Sequence, residues 1–157
     1  MNFEEIKEII KSVKNAVNTE DPLLDFSDVH ERAIAHRFAL HMEKHFQVQD
    51  WNVDCEYDRF GEMQKVLEGI ACCNDGKKTD AIIPDIIVHH RRLQGPENNL
   101  LVIEIKKNTV NDECDIKKLE LLTDKKGRYQ YQFGLYINVN NGAFDQSWYA
   151  DGKRLQE

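Results

Sequence analysis

Two acidic residues and a lysine occupy positions where strand cores should be apolar. The run IIPDIIV, residues 82–88, carries Asp85, and LLVIEIK, residues 100–106, carries Glu104 and Lys106. Burying charge is costly unless it is paired or holds a metal, so these three residues are the first candidates for chemistry. Two carboxylates converging on one point repel each other unless a cation lies between them. Oxygen ligands suit hard ions such as Mg²⁺ or Mn²⁺, which keep several waters and take phosphate oxygens as further ligands. A bound cation acidifies water and neutralises charge on a phosphoryl transition state, and an adjacent lysine positions that water or stabilises the developing charge. The chemistry indicated is metal-assisted phosphodiester hydrolysis. The alternative is an Asp85–Lys106 cross-strand ion pair with Glu104 partly exposed, which performs no reaction.

The two runs must be brought together for either reading. The segment between them is rich in Gln, Gly, Pro and Asn and short enough for an antiparallel hairpin turning around Gln94 to Glu97. Folding about that midpoint sets residue 85 opposite approximately residue 106. Directly opposed residues lie about 5 Å apart at Cβ and diagonal neighbours roughly 7 to 8 Å apart. Glu104 and Lys106 share one face of their strand because side chains repeat every second residue, and Ile103 and Ile105 fill the other.

Further candidates stand on the flanking elements. Residues Phe3 to Val17 form an amphipathic helix with glutamates in its first turn. A second helix is expected from near Asp28 through ERAIAHRFALHMEKHF, with Glu31 in line with the apolar Ala35, Phe38 and Met42. Glu31 either caps its own helix in a variant capping box or points from the buried face towards a site. His36, His41 and His45 form no clear ligand set and read as surface or packed histidines. Trp51 to Arg59 alternates strictly as a half-buried strand; its three acidic residues form either a solvated face, the commoner outcome, or a metal-binding one, for which Glu56 is kept in reserve.

The remaining elements complete an α/β order. EMQKVLEGIACC suggests a short helix and NDGKKTD a turn or loop. After the central runs, Asn111 or Asp112 caps a helix over Glu113 to Asp124, with Ile116, Leu119 and Leu122 inward and Gly127 ending it. Tyr131 to Asn140 is a strand, Asn141-Gly142 a turn, and SWYADGKR a last edge strand. The expectation is a single α/β domain over 1–157, with a mixed central sheet of about 4 to 5 strands flanked by helices.

Composition bounds the setting. The chain has 157 residues, 41% hydrophobic and 31% charged, which describes a globular protein with a real core. No apolar run approaches a membrane span of roughly 18 to 20 residues, and MNFEEIKEIIKSVK is not expected to be a signal peptide. Cys55, Cys72, Cys73 and Cys114 fit no C-x-x-C pattern and read as reduced thiols of a cytoplasmic protein. The net charge of −7 argues against a broad phosphate-binding surface. A local basic groove is still open to His89, His90, Arg91, Arg92, Lys106, Lys107, Lys117, Lys118, Lys125, Lys126 and Arg128, whose bland reading is a solvated face.

Pro84-Asp85, eighteen residues, then Glu104-Ile105-Lys106 resembles the PD-(D/E)XK nuclease superfamily, with its restriction-endonuclease-like fold. Both halves of the motif lie in apolar strands, with a helix before and a helix after, and Glu31 matches the acidic residue that often precedes the first sheet strand. The resemblance covers residues 28–140 and implies a three-layer core. It further implies that Asp85, Glu104 and the Ile105 backbone carbonyl bind a divalent metal, Mg²⁺ or in its place Mn²⁺. Glu31 completes the metal shell directly or through water, and Lys106 orients or activates the attacking water. His89, Arg91, Arg92, Lys107 and Lys117 are candidates for phosphate contact that no family motif fixes. The implied activity is a nuclease acting on DNA, as a homodimer or with a partner protein. The competing class is a catalytically silent module of the same fold that binds nucleic acid or protein.

Overall fold

Asn2 opens the first helix by closing a capping box: its side chain accepts from the Glu5 N–H at 3.0 Å, and Glu5 Oε2 accepts from the Asn2 N–H at 2.8 Å. Helix α1 (Phe3–Glu20) then buries Ile6, Ile10, Val13 and Val17, a stripe at helical spacing. Helix α2 (Glu31–Phe46) buries Ile34, Ala35, Phe38, Ala39, His41, Met42 and Phe46. The structure is a computed structural model and describes residues 1–21, 29–60, 63–64, 82–109, 112–140 and 142–156. The expected start at Asp28, most of the expected helix over 62–73, and the Asn111 and Asn141 signals lie outside the described residues.

Eight strands follow among the described residues: β1 (Asn52–Cys55), β2 (Arg59–Phe60), β3 (Met63–Gln64), β4 (Ile86–His89), β5 (Asn99–Lys107), β6 (Phe133–Asn140), β7 (Ala143–Ala150) and β8 (Lys153–Arg154). Helix α3 (Glu113–Thr123) crosses between β5 and β6. The main sheet is six-stranded in the order β1-β4-β5-β6-β7-β8, and β2 pairs with β3 separately. The β5–β6 pairing is parallel and its neighbours are antiparallel, so the sheet is mixed.

The fold is therefore α/β with a mixed sheet and helices on both faces. On one face, Ile86, Val88, Leu101, Ile103, Ile105, Leu135 and Ile137 pack with α1 and α2. On the other, Ile87, Val102 and Tyr136 pack with Leu119 and Leu122 of α3. Each such aliphatic side chain taken out of water contributes about 1.5 to 3 kcal/mol. Helix α3 sits close to the sheet because β6 carries a glycine beneath it. A Cβ on Gly134 would lie 3.0 Å from Thr123 Cγ2 and 3.4 Å from Leu119 Cδ2.

Several sequence expectations shift. The sheet has six strands because residues 143–154 supply two, joined at Asp151-Gly152, with Gly152 at φ +71°. Met63 and Gln64 form a strand with Arg59 and Phe60 instead of entering a helix. The β4–β5 hairpin pairs Ile86 with Ile103, which brings residue 85 beside residue 104 and not residue 106. The cause is local: His90 N–H donates to Asn98 O at 2.9 Å, and the register shifts between Val88 and His89. Strand β1 stops at Cys55, and the next residue, Glu56, has φ +47° and ion-pairs with Arg32 at 2.7 Å. Ile116 is only half-buried, and the buried face of α3 includes Asp115. Cys114 is disulfide-bonded, against the reduced thiol expected there, and Cys55 is free. Among the described residues, no helix is long and apolar enough to cross a membrane.

Candidate active site

The alternation of β5 that sends Ile103 and Ile105 to the α1/α2 side sends Glu104 and Lys106 to the side of α3. Asp85, at the entry to β4, reaches across to this strand, and its Oδ2 accepts from the Ile105 N–H at 2.7 Å. Glu31, the first residue of α2, turns its carboxylate towards β5. Its Oε1 accepts from the Lys107 N–H at 3.1 Å, and its Oε2 lies 3.4 Å from Lys106 Nζ. The N-cap position belongs to His30, whose side chain makes no capping bond. Of the two roles open to Glu31, the structure gives it the one facing the strand.

Helix α3 adds two residues that the sequence motif does not mark. Asp115 Oδ2 lies 3.4 Å from Lys106 Nζ, and its Oδ1 accepts from Lys118 Nζ at 2.7 Å. Lys118 Nζ is in turn 3.6 Å from Glu104 Oε2. A signal for Asp115 exists, because it stands on the stripe of Leu119 and Leu122 at i+4 and i+7. The i,i+3 acid–base pair that it forms with Lys118 otherwise reads as an ordinary helix surface.

Glu104 is the most confined member. Its side chain is 2% exposed, and Oε1 is buried with no hydrogen-bond partner. Burial pushes its carboxyl well above the usual range; Lys118 opposes that shift, and Asp85 and Asp115 add to it. Burial also raises Asp85, against the Ile105 N–H and the two ammonium groups of Lys106 and Lys118. Burial acts to lower Lys106, but Asp115, Glu31, Asp85 and Glu104 outweigh it and hold its pKa above the ordinary lysine value. Lys106 is therefore a firm cation, suited to stabilising negative charge and not to taking a proton from water.

The donor set fits a hard divalent cation. Four carboxylates, Glu31, Asp85, Glu104 and Asp115, stand against two ammonium groups, Lys106 and Lys118, leaving a formal charge of −2. That deficit, together with the unpartnered Glu104 oxygen, is what Mg²⁺ or Mn²⁺ would fill. Among the described residues no three His, Cys, Asp or Glu side chains already stand at metal-ligating separation. The lysines stand against Glu31, Glu104 and Asp115, and the Ile105 N–H holds Asp85. An open groove of about 890 Å³ runs past Glu31 and Lys107 and is lined by His30, Arg32 and Asn108.

The residues expected to contact phosphate are dispersed. His89 is buried, and its Nε2 lies 2.9 Å from Asp54 Oδ2, with Tyr57 packed on the ring. Arg91 is exposed, but its Nε donates to the same Asp54 oxygen at 2.8 Å. Arg92 is exposed with φ +66°, and Lys117 ion-pairs with Glu120 at 3.2 Å. Lys107 is half-buried beside the groove, its Nζ 3.5 Å from Val29 O. The acidic face of β1 is thus not simply solvated, because Asp54 is the shared acceptor of a histidine and an arginine.

Asp54 should matter for stability. Burial works to raise its carboxyl, but hydrogen bonds from His89 and Arg91 override this and hold it far below the usual value of 3.8. A lowered folded value means stability that is fully present above the ordinary carboxylate range. It is lost as pH falls below 3.8 towards the folded value. Asp54→Ala strands the buried His89 without its acceptor and is expected to cost about 1 to 3 kcal/mol at neutral pH. Urea denaturation at about pH 7 and again about one unit below the ordinary carboxylate value measures this, with the difference between the two proteins shrinking at the lower pH.

No protein-family model and no curated protein matches this chain.

Proposed function

We propose that this chain is a divalent-metal-dependent nuclease that hydrolyses phosphodiester bonds in DNA, with a PD-(D/E)XK-type site. The observation that carries the reading is the convergence of Asp85, Glu104 and Lys106 with Glu31, at a site short of two positive charges and with one buried carboxylate oxygen unpartnered. Asp85, Glu104, Glu31 and the Ile105 carbonyl would hold Mg²⁺ or Mn²⁺. A bound cation supplies Lewis-acid neutralisation of phosphoryl charge and a lowered pKa for water.

The chain's own groups do the rest. The Ile105 N–H fixes one oxygen of Asp85, leaving the other to bind. Glu31 and Asp115 hold the Lys106 ammonium from two sides, each at 3.4 Å. That cation, half-buried and firmly charged, orients the attacking water and meets the negative charge that develops on the phosphate. The groove past Glu31 and Lys107 gives the substrate a way in. The net charge of −7 suits a nuclease that takes much of its grip on DNA from a second copy or a partner protein.

A second reading has one observation in its favour. The lysines already engage Glu31, Glu104 and Asp115, as a purely structural ion network would. This is the catalytically silent module. Incubation of the full chain with single-stranded, duplex and branched DNA, and with RNA, in millimolar Mn²⁺ or in chelator separates the two. Cleavage of DNA only with metal is expected. No cleavage of any substrate, with no rise in Tm on adding Mn²⁺, would leave the silent module standing.

A further inference from the structure

Glu104 already faces a cation. Lys118 Nζ sits 3.6 Å from Glu104 Oε2 and donates to Asp115 Oδ1 at 2.7 Å. The lysine is wedged between a strand carboxylate and a helix carboxylate, its own side chain 18% exposed and theirs 2% and 8%. The two contacts are unequal. The short bond to Asp115, one helical turn back on α3, anchors the ammonium, whereas the Glu104 contact is beyond hydrogen-bonding distance. On the far side of the same carboxylate, Glu104 Oε1 is buried and without a partner.

This arrangement has a definite sign. In the metal-free protein Lys118 offsets part of the charge of a carboxylate that has almost no access to water. A divalent cation arriving at Glu104 meets that same ammonium and is repelled by it, since like charges a few ångströms apart in a shielded site interact strongly. Asp115 gives the lysine somewhere to stay when the cation takes its place, so exchange does not require α3 to move.

We propose that Lys118 is a built-in competitor for the divalent cation, the resident counter-ion of Glu104, anchored by Asp115 and weakening metal binding at the site. The inference rests on the metal-site reading above. It distinguishes Lys118 from a lysine that grips substrate phosphate, whose loss would leave metal affinity unchanged.

The test is a Mn²⁺ titration of the full chain without nucleic acid, following loss of the free-ion electron paramagnetic resonance signal. Lys118→Met is expected to bind Mn²⁺ on the order of tenfold more tightly than wild type, and its metal-free Tm is expected to be lower. Lys118→Arg, which keeps the charge, stays near wild type. Lys118→Gln supplies the neutral side chain where methionine fails to fold. Equal or weaker Mn²⁺ binding by the neutral variants overturns the competitor role while wild-type binding keeps the metal site. Absence of Mn²⁺ binding by wild type and every variant overturns both.

Discussion

Lys106→Ala is expected to lower the metal-dependent DNA cleavage proposed for this chain by about 10²- to 10³-fold, the loss typical of removing one preorganised group that stabilises transition-state charge. It is expected to do so while keeping the rise in Tm expected of the wild type with Mn²⁺. The two effects separate because Lys106 is placed as a charge and not as a ligand. Its ammonium stands between Glu31 Oε2 and Asp115 Oδ2, and those carboxylates keep it protonated. Stability changes little, since the Lys106 side chain is 26% exposed and partly exposed ion pairs contribute about 0 to 1 kcal/mol. Lys106→Arg does not restore full rate, because a planar guanidinium presents its charge differently from a compact ammonium. Single-turnover cleavage at saturating Mn²⁺ reads the rate, and thermal unfolding with and without Mn²⁺ reads the site. Cleavage by Lys106→Ala equal to wild type would mean that the active centre lies elsewhere.

What could be read from the chain, and what could not, follows from where each signal resides. Asp85, Glu104 and Lys106 were legible because their neighbours are apolar: a charge inside IIPDIIV or LLVIEIK conflicts with its surroundings. The hairpin needed only approximate register, so a two-residue offset left Asp85 bonded to the Ile105 N–H and still within the site. Asp115 shows a weaker conflict, an acid on the stripe of Leu119 and Leu122, and Lys118 shows none. In sequence they are an i,i+3 pair on a short helix, and only docking buries Asp115 and half-buries Lys118. That docking depends on Gly134, two strands from the hairpin's first half, where a side chain would strike Thr123. Tertiary packing also decided Asp54. Alternation put it on the polar face of β1, but pairing with β4 set Asn52 beside His89 and Asp54 beside Ile87, within reach of the His89 ring and Arg91. The strand count fell short because the turn at Asp151-Gly152 lies inside SWYADGKR, so what reads as one edge strand is the end of β7 followed by all of β8.

Glu104→Gln is expected to raise the Tm of the metal-free protein and abolish its response to Mn²⁺. Glu104 has almost no access to water and only partial counter-ions in Lys118 and Lys106, so its ionised form is disfavoured in the folded state. Neutralising it leaves no stranded cation, because Lys118 keeps its 2.7 Å bond to Asp115. The gain is on the order of 1 kcal/mol, or about 2 to 4 °C for a chain of this size. Its pH dependence has a fixed direction. A folded pKa raised above the ordinary 4.5 means that the native state holds the proton longer than the unfolded chain does. Wild-type stability in the absence of metal therefore declines as pH climbs from 4.5 through the folded value. The neutral amide of the variant contributes no such slope, so the Tm gap between the two proteins widens with rising pH and then levels. With metal the order reverses. Mn²⁺ at about 100 times its dissociation constant adds about 2.7 kcal/mol to a protein that binds it, enough to place wild type above a variant that has lost a ligand. A variant less stable than wild type without metal would show that Glu104 serves the fold. Stability gained without metal and lost relative to wild type with it is the behaviour of a residue kept for binding, at the expense of the core that surrounds it.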